Sequence, residues 1–329
     1  MLIDNHGRKI NYLRLAVTDR CNLRCFYCMP EDGLNWLART ELMTYEEMLR
    51  SCAVLVKMGI EKIRITGGEP FVRKDIMQLL TSLSNLDGLK ELTLTTNGVL
   101  TVPYIGELKK LGVKSVNLSL DTLDANRFFA ITRRDEFANV MDTLDGLLKH
   151  DIEVKINTVV MDGKNIDDII PLVELTKNTP VSVRFIEEMP FNGDGHNYSG
   201  LQWDYVHILE KIRSRFPDIE KLIDSPNSTS YNYHIPGHRG SIGIIAAYSR
   251  TFCGTCNRIR ITPQGQLKNC LYDDGVLNIR DIIRSGANDD QLQDQLLNAF
   301  SHRVKDGWEA EHNRFLKTGV HESMATIGG

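Results

Sequence analysis

Six short runs of strand-forming residues, each followed by a stretch long enough for an amphipathic helix, fill the chain as far as Glu188. No other feature restricts the fold as much. The strand runs are Leu13–Thr18, Lys62–Thr66, Glu91–Thr95, Ser115–Asp121, Glu153–Val160 and Val181–Glu187. Between them Thr44–Met58, Lys74–Leu83, Pro103–Leu111, Phe137–His150 and Asn165–Asn178 read as helices. Thr44 followed three residues later by Glu47 is a capping-box start, and Gly59 is a helix stop. Strands joined by helices specify a parallel sheet, closed or nearly closed into a barrel, with an open doubly wound sheet as the alternative. The rhythm breaks at Phe191-Asn192-Gly193-Asp194-Gly195. A helix around Trp203–Phe216, short strands near Ser241–Ala247 and Arg258–Thr262, and helices around Asn278–Arg284 and Asp290–His302 follow.

Period-two reading of the strands separates two faces. Leu13, Leu15 and Val17 oppose Arg14, Ala16 and Thr18; Ile63 and Ile65 oppose Arg64 and Thr66. Leu92 and Leu94 oppose Thr93 and Thr95, and Val116, Leu118 and Leu120 oppose Asn117, Ser119 and Asp121. Lys155 and Asn157 lie opposite Val154 and Ile156, and Arg184 lies opposite Val183 and Phe185. The apolar face packs beneath helices. The other face would line the interior, which an ordinary closed barrel fills with branched aliphatics. Burying an unpaired cation costs several kcal/mol. An anionic guest is therefore expected among Arg14, Arg64, Lys155 and Arg184; the alternative is pairing with acids such as Asp121 or Glu187.

Cys21-Asn22-Leu23-Arg24-Cys25-Phe26-Tyr27-Cys28 follows the first strand, at the strand end where barrel active sites lie. Three soft thiolates suit an iron–sulfur centre, and three ligands leave one iron of a [4Fe–4S] cluster open. A zinc knot with a distant fourth ligand, or a Cys25–Cys28 dithiol, fits the spacing too. Seven cysteines without an export signal imply a reducing compartment, so a cytoplasmic location is expected. The formal charge of −4 gives no bulk basic field for nucleic acid. The apolar run Ile242–Tyr248 falls far short of a membrane span.

The C-x3-C-x2-C spacing with an aromatic before the last cysteine resembles the signature of radical S-adenosylmethionine (SAM) enzymes. Gly67-Gly68-Glu69-Pro70 after the second strand looks like that superfamily's SAM motif. The resemblance implies an α/β fold, a partial (β/α)6 TIM-like barrel over residues 1–190. It also implies that the open iron chelates SAM, which is cleaved to a 5′-deoxyadenosyl radical that takes a substrate hydrogen.

Cys253-Gly254-Thr255-Cys256 and Cys270 form a second set of three. Alone, this set suits zinc completed by His234 or His238 as well as it suits iron–sulfur. Both sets together, with the C-terminal Gly328-Gly329, resemble the molybdenum cofactor biosynthesis protein A family, the GTP 3′,8-cyclases, along nearly the whole chain. That resemblance implies a smaller region, residues 191–329, carrying a second [4Fe–4S] cluster whose open iron binds guanine. Cys21, Cys25 and Cys28 would hold the first cluster, and Cys253, Cys256 and Cys270 the second. Tyr27, Gly68, Ser119 and Met189 would contact SAM. Arg14, Arg64, Thr95, Lys155, Arg258 and Arg260 would engage GTP, with Arg14, Gly328 and Gly329 catalytic. Arg184 joins the cationic face by parity, and Cys52 reads as a buried small hydrophobe.

The implied reaction abstracts hydrogen from ribose C3′ and closes that carbon onto purine C8. The product is 3′,8-cyclo-7,8-dihydro-GTP, the first step of molybdenum cofactor biosynthesis. An external flavodoxin-like one-electron donor and a downstream cyclic pyranopterin monophosphate synthase are implied partners. Oligomeric state is left open, a homodimer among the options. Two rivals stand beside this reading: a peptide-modifying radical SAM enzyme, and a zinc-stapled binding module.

Overall fold

In the computed structural model, which describes residues 2–30, 33–191, 200–317 and 322–328, the alternation folds as a curved sheet under helices. The strands are β1 (Tyr12–Ala16), β2 (Lys62–Thr66), β3 (Glu91–Thr96), β4 (Ser115–Ser119), β5 (Glu153–Val160) and β6 (Ser182–Glu187). Then come β7 (Glu220–Lys221), β8 (Tyr231–His234), β9 (Ser241–Ile245), β10 (Arg258–Ile261), β11 (Gln266–Lys268) and β12 (Leu277–Asn278). Among the described residues these form one sheet in the order β12, β11, β10, β1, β2, β3, β4, β5, β6, β9, β8, β7. Strands β1 to β6 are parallel in sequence order, as right-handed crossovers dictate. The barrel is partial: β10 docks parallel on β1 and β9 parallel on β6, so the later part of the chain extends both edges instead of closing the ring.

Local chemistry explains the element boundaries. The helix Tyr45–Met58 starts on the expected capping box, Thr44 Oγ1 accepting from Glu47 N at 3.2 Å while Thr44 N donates to Glu47 Oε2 at 2.7 Å. It stops at Gly59, whose φ of 123° a side chain would resist. The helix Ala125–Thr132 was absent from the sequence reading. Asp124 caps its start, but its stop is Arg133 in the left-handed region, with no Gly or Pro to mark it. Likewise β8 and the helices Gly307–Lys317 and Met324–Ile327 were not foreseen, being short or flanked by few punctuating residues. The turn expected at 191–195 lies, apart from Phe191, outside the described residues.

Strand parity is as read. Leu13, Leu15, Ile63, Ile65, Leu94, Val116, Val154, Ile156 and Val183 are all essentially inaccessible beneath the helices. Each contributes about 1.5–3 kcal/mol. A one-residue slip would exchange this layer for the charged one, so register is strongly specified. Cys52 is packed inside the same core.

Candidate active site

Register assembles the polar face. Arg14 on β1 is level with Arg64 on β2 and with Arg260 on β10; Arg64 is level with Thr93. Across the sheet, Asn117 is level with Lys155, and Asn157 with Arg184. Arg14, Arg64, Lys155, Arg184, Arg258 and Arg260 line one cavity of about 430 Å³, and Cys253, Cys256 and Cys270 form part of its wall. Tyr12 and Lys62 line it too. Sequence reading missed both, although they share parity with Arg14 and Arg64 one step earlier on each strand.

This lumen is short of negative charge. Burial, with Arg260, Arg64 and Arg258 nearby, holds the Arg14 guanidinium well below its ordinary range. Burial and Arg258 bring Arg260 down to about 10, and burial and Arg64 bring Arg184 down to about 10. Arg14 Nε, Arg184 Nε, Asn117 Oδ1 and Asn157 Oδ1 are buried without hydrogen-bond partners, an arrangement that native structures rarely tolerate without a guest. The acids considered as partners are engaged elsewhere. Asp121 accepts from Tyr27 Oη at 2.7 Å, and Glu187 accepts from the amides of Tyr205, Tyr248 and Ser249 at 2.8–2.9 Å. Among the described residues only Lys155 of the four expected cations has an acid, Glu153 at 2.8 Å, itself half exposed.

A second cavity of about 120 Å³ lies at the C-terminal ends of the strands. Cys21, Cys25 and Cys28 line it with Tyr27, Gly68 and Ser119. Gly68 is needed because its backbone runs against the cysteine loop: an added Cβ would sit 2.3 Å from Arg20 O. Next to it, buried Glu69 accepts from Asn97 N at 2.7 Å, Thr96 Oγ1 at 2.9 Å and Phe71 N at 3.1 Å, and burial lifts it to about 7 despite these donors. Burial pushes Asp121 up to about 6 and, with Glu69 nearby, Cys21 up to about 11; Cys25 and Cys28 are raised as well. In the other set burial raises Cys270 to about 12. For Cys256 burial is outweighed by Arg258 and Arg303, which bring the thiol down to about 6.

The C-terminal segment joins the cavities. Ser323 Oγ donates to Cys28 O, Met324 N donates to Phe191 O at 3.0 Å, and Met324 lines both cavities. Gly328 is buried, with its carbonyl accepting from Arg260 Nη1 at 2.6 Å. At φ 78°, a Cβ there would come within 2.7 Å of Ala16 Cβ and Thr66 Oγ1. Gly329 lies outside the described residues.

Two expected contacts fall on unexpected walls. Thr95, assigned to the nucleotide, lines the cavity of Cys21, Cys25 and Cys28, and Met189, assigned to SAM, lines the larger one. Thr95 lies one alternate step beyond Thr93 toward the strand end, which brings it level with the cysteine loop. His234 and His238 are absent from the wall around Cys253, and His238 Nδ1 is bonded to Thr176 Oγ1 at 2.8 Å. Among the described residues no three His, Cys, Asp or Glu side chains converge as ligands of a single ion do. Each set of three thiols stands instead around a cavity, the donor set of a larger sulfur-ligated group with an exchangeable position. Buried, unmatched Thr95 Oγ1 leaves polar capacity beside the first set.

Cysteine-lined strand ends on a partial parallel barrel define a radical SAM enzyme. Residues 15–176 match the Radical SAM superfamily, and residues 181–308 match Molybdenum Cofactor Synthesis C. The mitochondrial GTP 3′,8-cyclase of Arabidopsis thaliana is 43% identical over 100% of this chain and 84% of that protein. The GTP 3′,8-cyclase of Clostridium perfringens strain SM101 is 38% identical over 95% and 98%. Molybdenum cofactor biosynthesis protein 1 of Bos taurus is 42% identical over 88% of this chain but 46% of that longer protein. The chain belongs to the GTP 3′,8-cyclase family, radical SAM enzymes that carry [4Fe–4S] clusters and use SAM. Streptococcus suis SuiB bound to S-adenosylmethionine shares the fold, with a TM-score of 0.62 at 16% identity over 88% of this chain and 68% of that one. Among the described residues no helix is long and apolar enough to cross a membrane.

Proposed function

We propose that the protein is a GTP 3′,8-cyclase, converting GTP to 3′,8-cyclo-7,8-dihydro-GTP in the first step of molybdenum cofactor biosynthesis. The observation that carries this reading is the arginine-lined lumen, with Arg14 Nε and Arg184 Nε unmatched, walled in part by Cys253, Cys256 and Cys270, since a triphosphate supplies the missing negative charge. When bound, the clusters and SAM supply the electron and the deoxyadenosyl radical that removes hydrogen from ribose C3′.

The chain's own groups hold and orient. Cys21, Cys25 and Cys28 hold the first [4Fe–4S] cluster, and Tyr27, Gly68, Ser119 and Met189 take SAM. Cys253, Cys256 and Cys270 hold the second cluster. Arg14, Arg64, Thr95, Lys155, Arg258 and Arg260 bind GTP, and Arg184 adds a phosphate contact. Fixing C3′ near C8 is an orientation problem, for which several bidentate donors on rigid strands are suited. Gly328, whose carbonyl accepts from Arg260, and the terminal Gly329 are assigned a catalytic role. Residues 1–190 thus form the radical SAM partial barrel, which also contributes the strand cations for GTP, and 191–329 carry the second cluster and further substrate contacts. A cytoplasmic location fits seven free thiols. A flavodoxin-like one-electron donor and a downstream cyclic pyranopterin monophosphate synthase complete the proposal.

Anaerobic incubation with GTP, SAM and a strong reductant tests it: 5′-deoxyadenosine and cyclised GTP should form together. Deoxyadenosine without a cyclised product overturns the substrate assignment. A colourless protein with two zinc ions would overturn the cofactor assignment, whereas about eight irons support it.

A further inference from the structure

Arg303 was assigned no role by motif or cavity. Its side chain is 2% exposed, and it is absent from the wall of the nucleotide cavity. Yet its guanidinium is spent almost wholly on the second cysteine set. Nη1 donates to Cys256 O at 3.0 Å, and Nη2 donates to Arg258 O at 2.6 Å and Asn269 O at 2.9 Å. Nε donates to Asn269 O at 3.1 Å, just before Cys270, and Nη2 lies 3.6 Å from Cys256 Sγ. One planar fork therefore fixes the backbone of both loops that present these ligands, while placing a full positive charge against one of the sulfurs.

The charge is held by the N-terminal turn. Asp4, whose carboxylate is wholly buried, accepts from Arg303 Nη1 at 3.2 Å and from Arg8 Nε at 2.7 Å. Arg8 in turn reaches Cys253 O at 3.3 Å, Val304 O at 2.8 Å and Lys305 O at 2.6 Å. Asn5 exchanges two hydrogen bonds with the backbone of Arg303 at 3.0 and 3.1 Å. At the first cysteine set Arg24 Nη1 braces the loop backbone, donating to Cys21 O at 2.6 Å and Leu23 O at 2.8 Å, but Cys21 Sγ itself takes hydrogen bonds from the neutral Leu23 N at 3.4 Å and Asn97 Nδ2 at 3.6 Å.

We propose that Arg303, seated by Asp4, is a positioning residue that raises the reduction potential of the cluster held by Cys253, Cys256 and Cys270. Reduction adds negative charge to the cluster, and a buried cation against a ligand sulfur stabilises the reduced form more than the oxidised one. Low local dielectric makes that preference larger than it would be in water. Arg258 Nη2 also lies 3.6 Å from Cys256 Sγ, but Arg258 faces the cavity and is shared with the substrate. Arg303 lies outside that cavity wall and meets Arg258 only at its backbone carbonyl. The inference rests on the second set holding a [4Fe–4S] cluster. Iron content reports on that premise separately from the potential.

The test is an anaerobic redox titration of the reconstituted full chain, followed by electron paramagnetic resonance, with the first cluster's midpoint as internal control. Arg303→Gln should weaken reduction of the second cluster about tenfold in equilibrium constant, about 59 mV for one electron, and leave the first unmoved. Arg303→Lys, which keeps the charge and loses the fork, should recover most of the shift. Asp4→Asn removes the neutralising carboxylate and should move the midpoint the other way. If Arg303→Gln fails to retain its second cluster, the sign of the Asp4→Asn shift decides. Midpoints that do not follow charge in these variants, with about eight irons still bound, would overturn the proposal and leave Arg303 a brace.

Discussion

Around Cys21, Cys25 and Cys28 the buried carboxyls Glu69 and Asp121 outweigh Arg24, and all three thiols are raised, whereas at Cys256 Arg258 and Arg303 outweigh burial and the thiol is lowered. Both sets contain a C-x-x-C pair and a third thiol, and both line cavities at the same interior. The shared C-x-x-C pair does not tell them apart; the balance of neighbouring charge does. Thiolates beside carboxyls resist further negative charge, and thiolates beside arginines accept it. The same ligand chemistry thus meets two different balances of charge.

The most severe way to break this comparison is to remove one set at a time. Cys25→Ala should abolish both deoxyadenosine release and GTP cyclisation. Cys256→Ala should abolish only cyclisation, with iron falling from about eight to about four per chain. If Cys256→Ala also silences SAM cleavage, the two sets do not act separately. Next in size, Arg14→Ala should lower kcat/KM for GTP about 100- to 1,000-fold while both clusters remain by iron analysis. Gly328→Ala asks how closely the tail must fit between the sets. Its Cβ has no room beside Ala16 and Thr66, so turnover should fall about 100-fold with unchanged iron and unchanged SAM cleavage in the absence of GTP.

The smallest effect concerns the acidic side. Glu69 titrates near 7 in the folded chain against an ordinary value of 4.5, so the folded state holds a proton that the unfolded state releases. Its contribution to stability is complete below about pH 4.5 and is lost as pH rises toward 7. Denaturant melts of Glu69→Gln across that interval should show a flatter slope than the parent chain. An unchanged slope would mean that Glu69 ionises freely in the fold.

Period-two alternation made the arginine lumen legible because parity is a local property: once Arg14 and Arg64 are on strands, their face follows. The cysteine sets were legible for the same reason, since ligand spacing is local. Arg303 and Asp4 were not, because they lie 299 positions apart and meet only through the fold. Closure of the barrel was also out of reach. Nothing local to β1 or β6 says that β10 and β9 will cover their free edges, because those partners arrive from the far end of the chain. Ala125–Thr132 escaped for a smaller reason, a left-handed arginine serving where glycine is the familiar signal.

The pairing of β10 with β1 ties metal loading to backbone motion. Asn257, next to Cys256, receives the amides of Asn11 and Tyr12 on its carbonyl, each at 3.3 Å, before the two strands run on in register. Stripping iron from that loop should therefore loosen the opening strand of the sheet, and deuterium uptake at Leu13 and Leu15 would report it from a site that touches no sulfur.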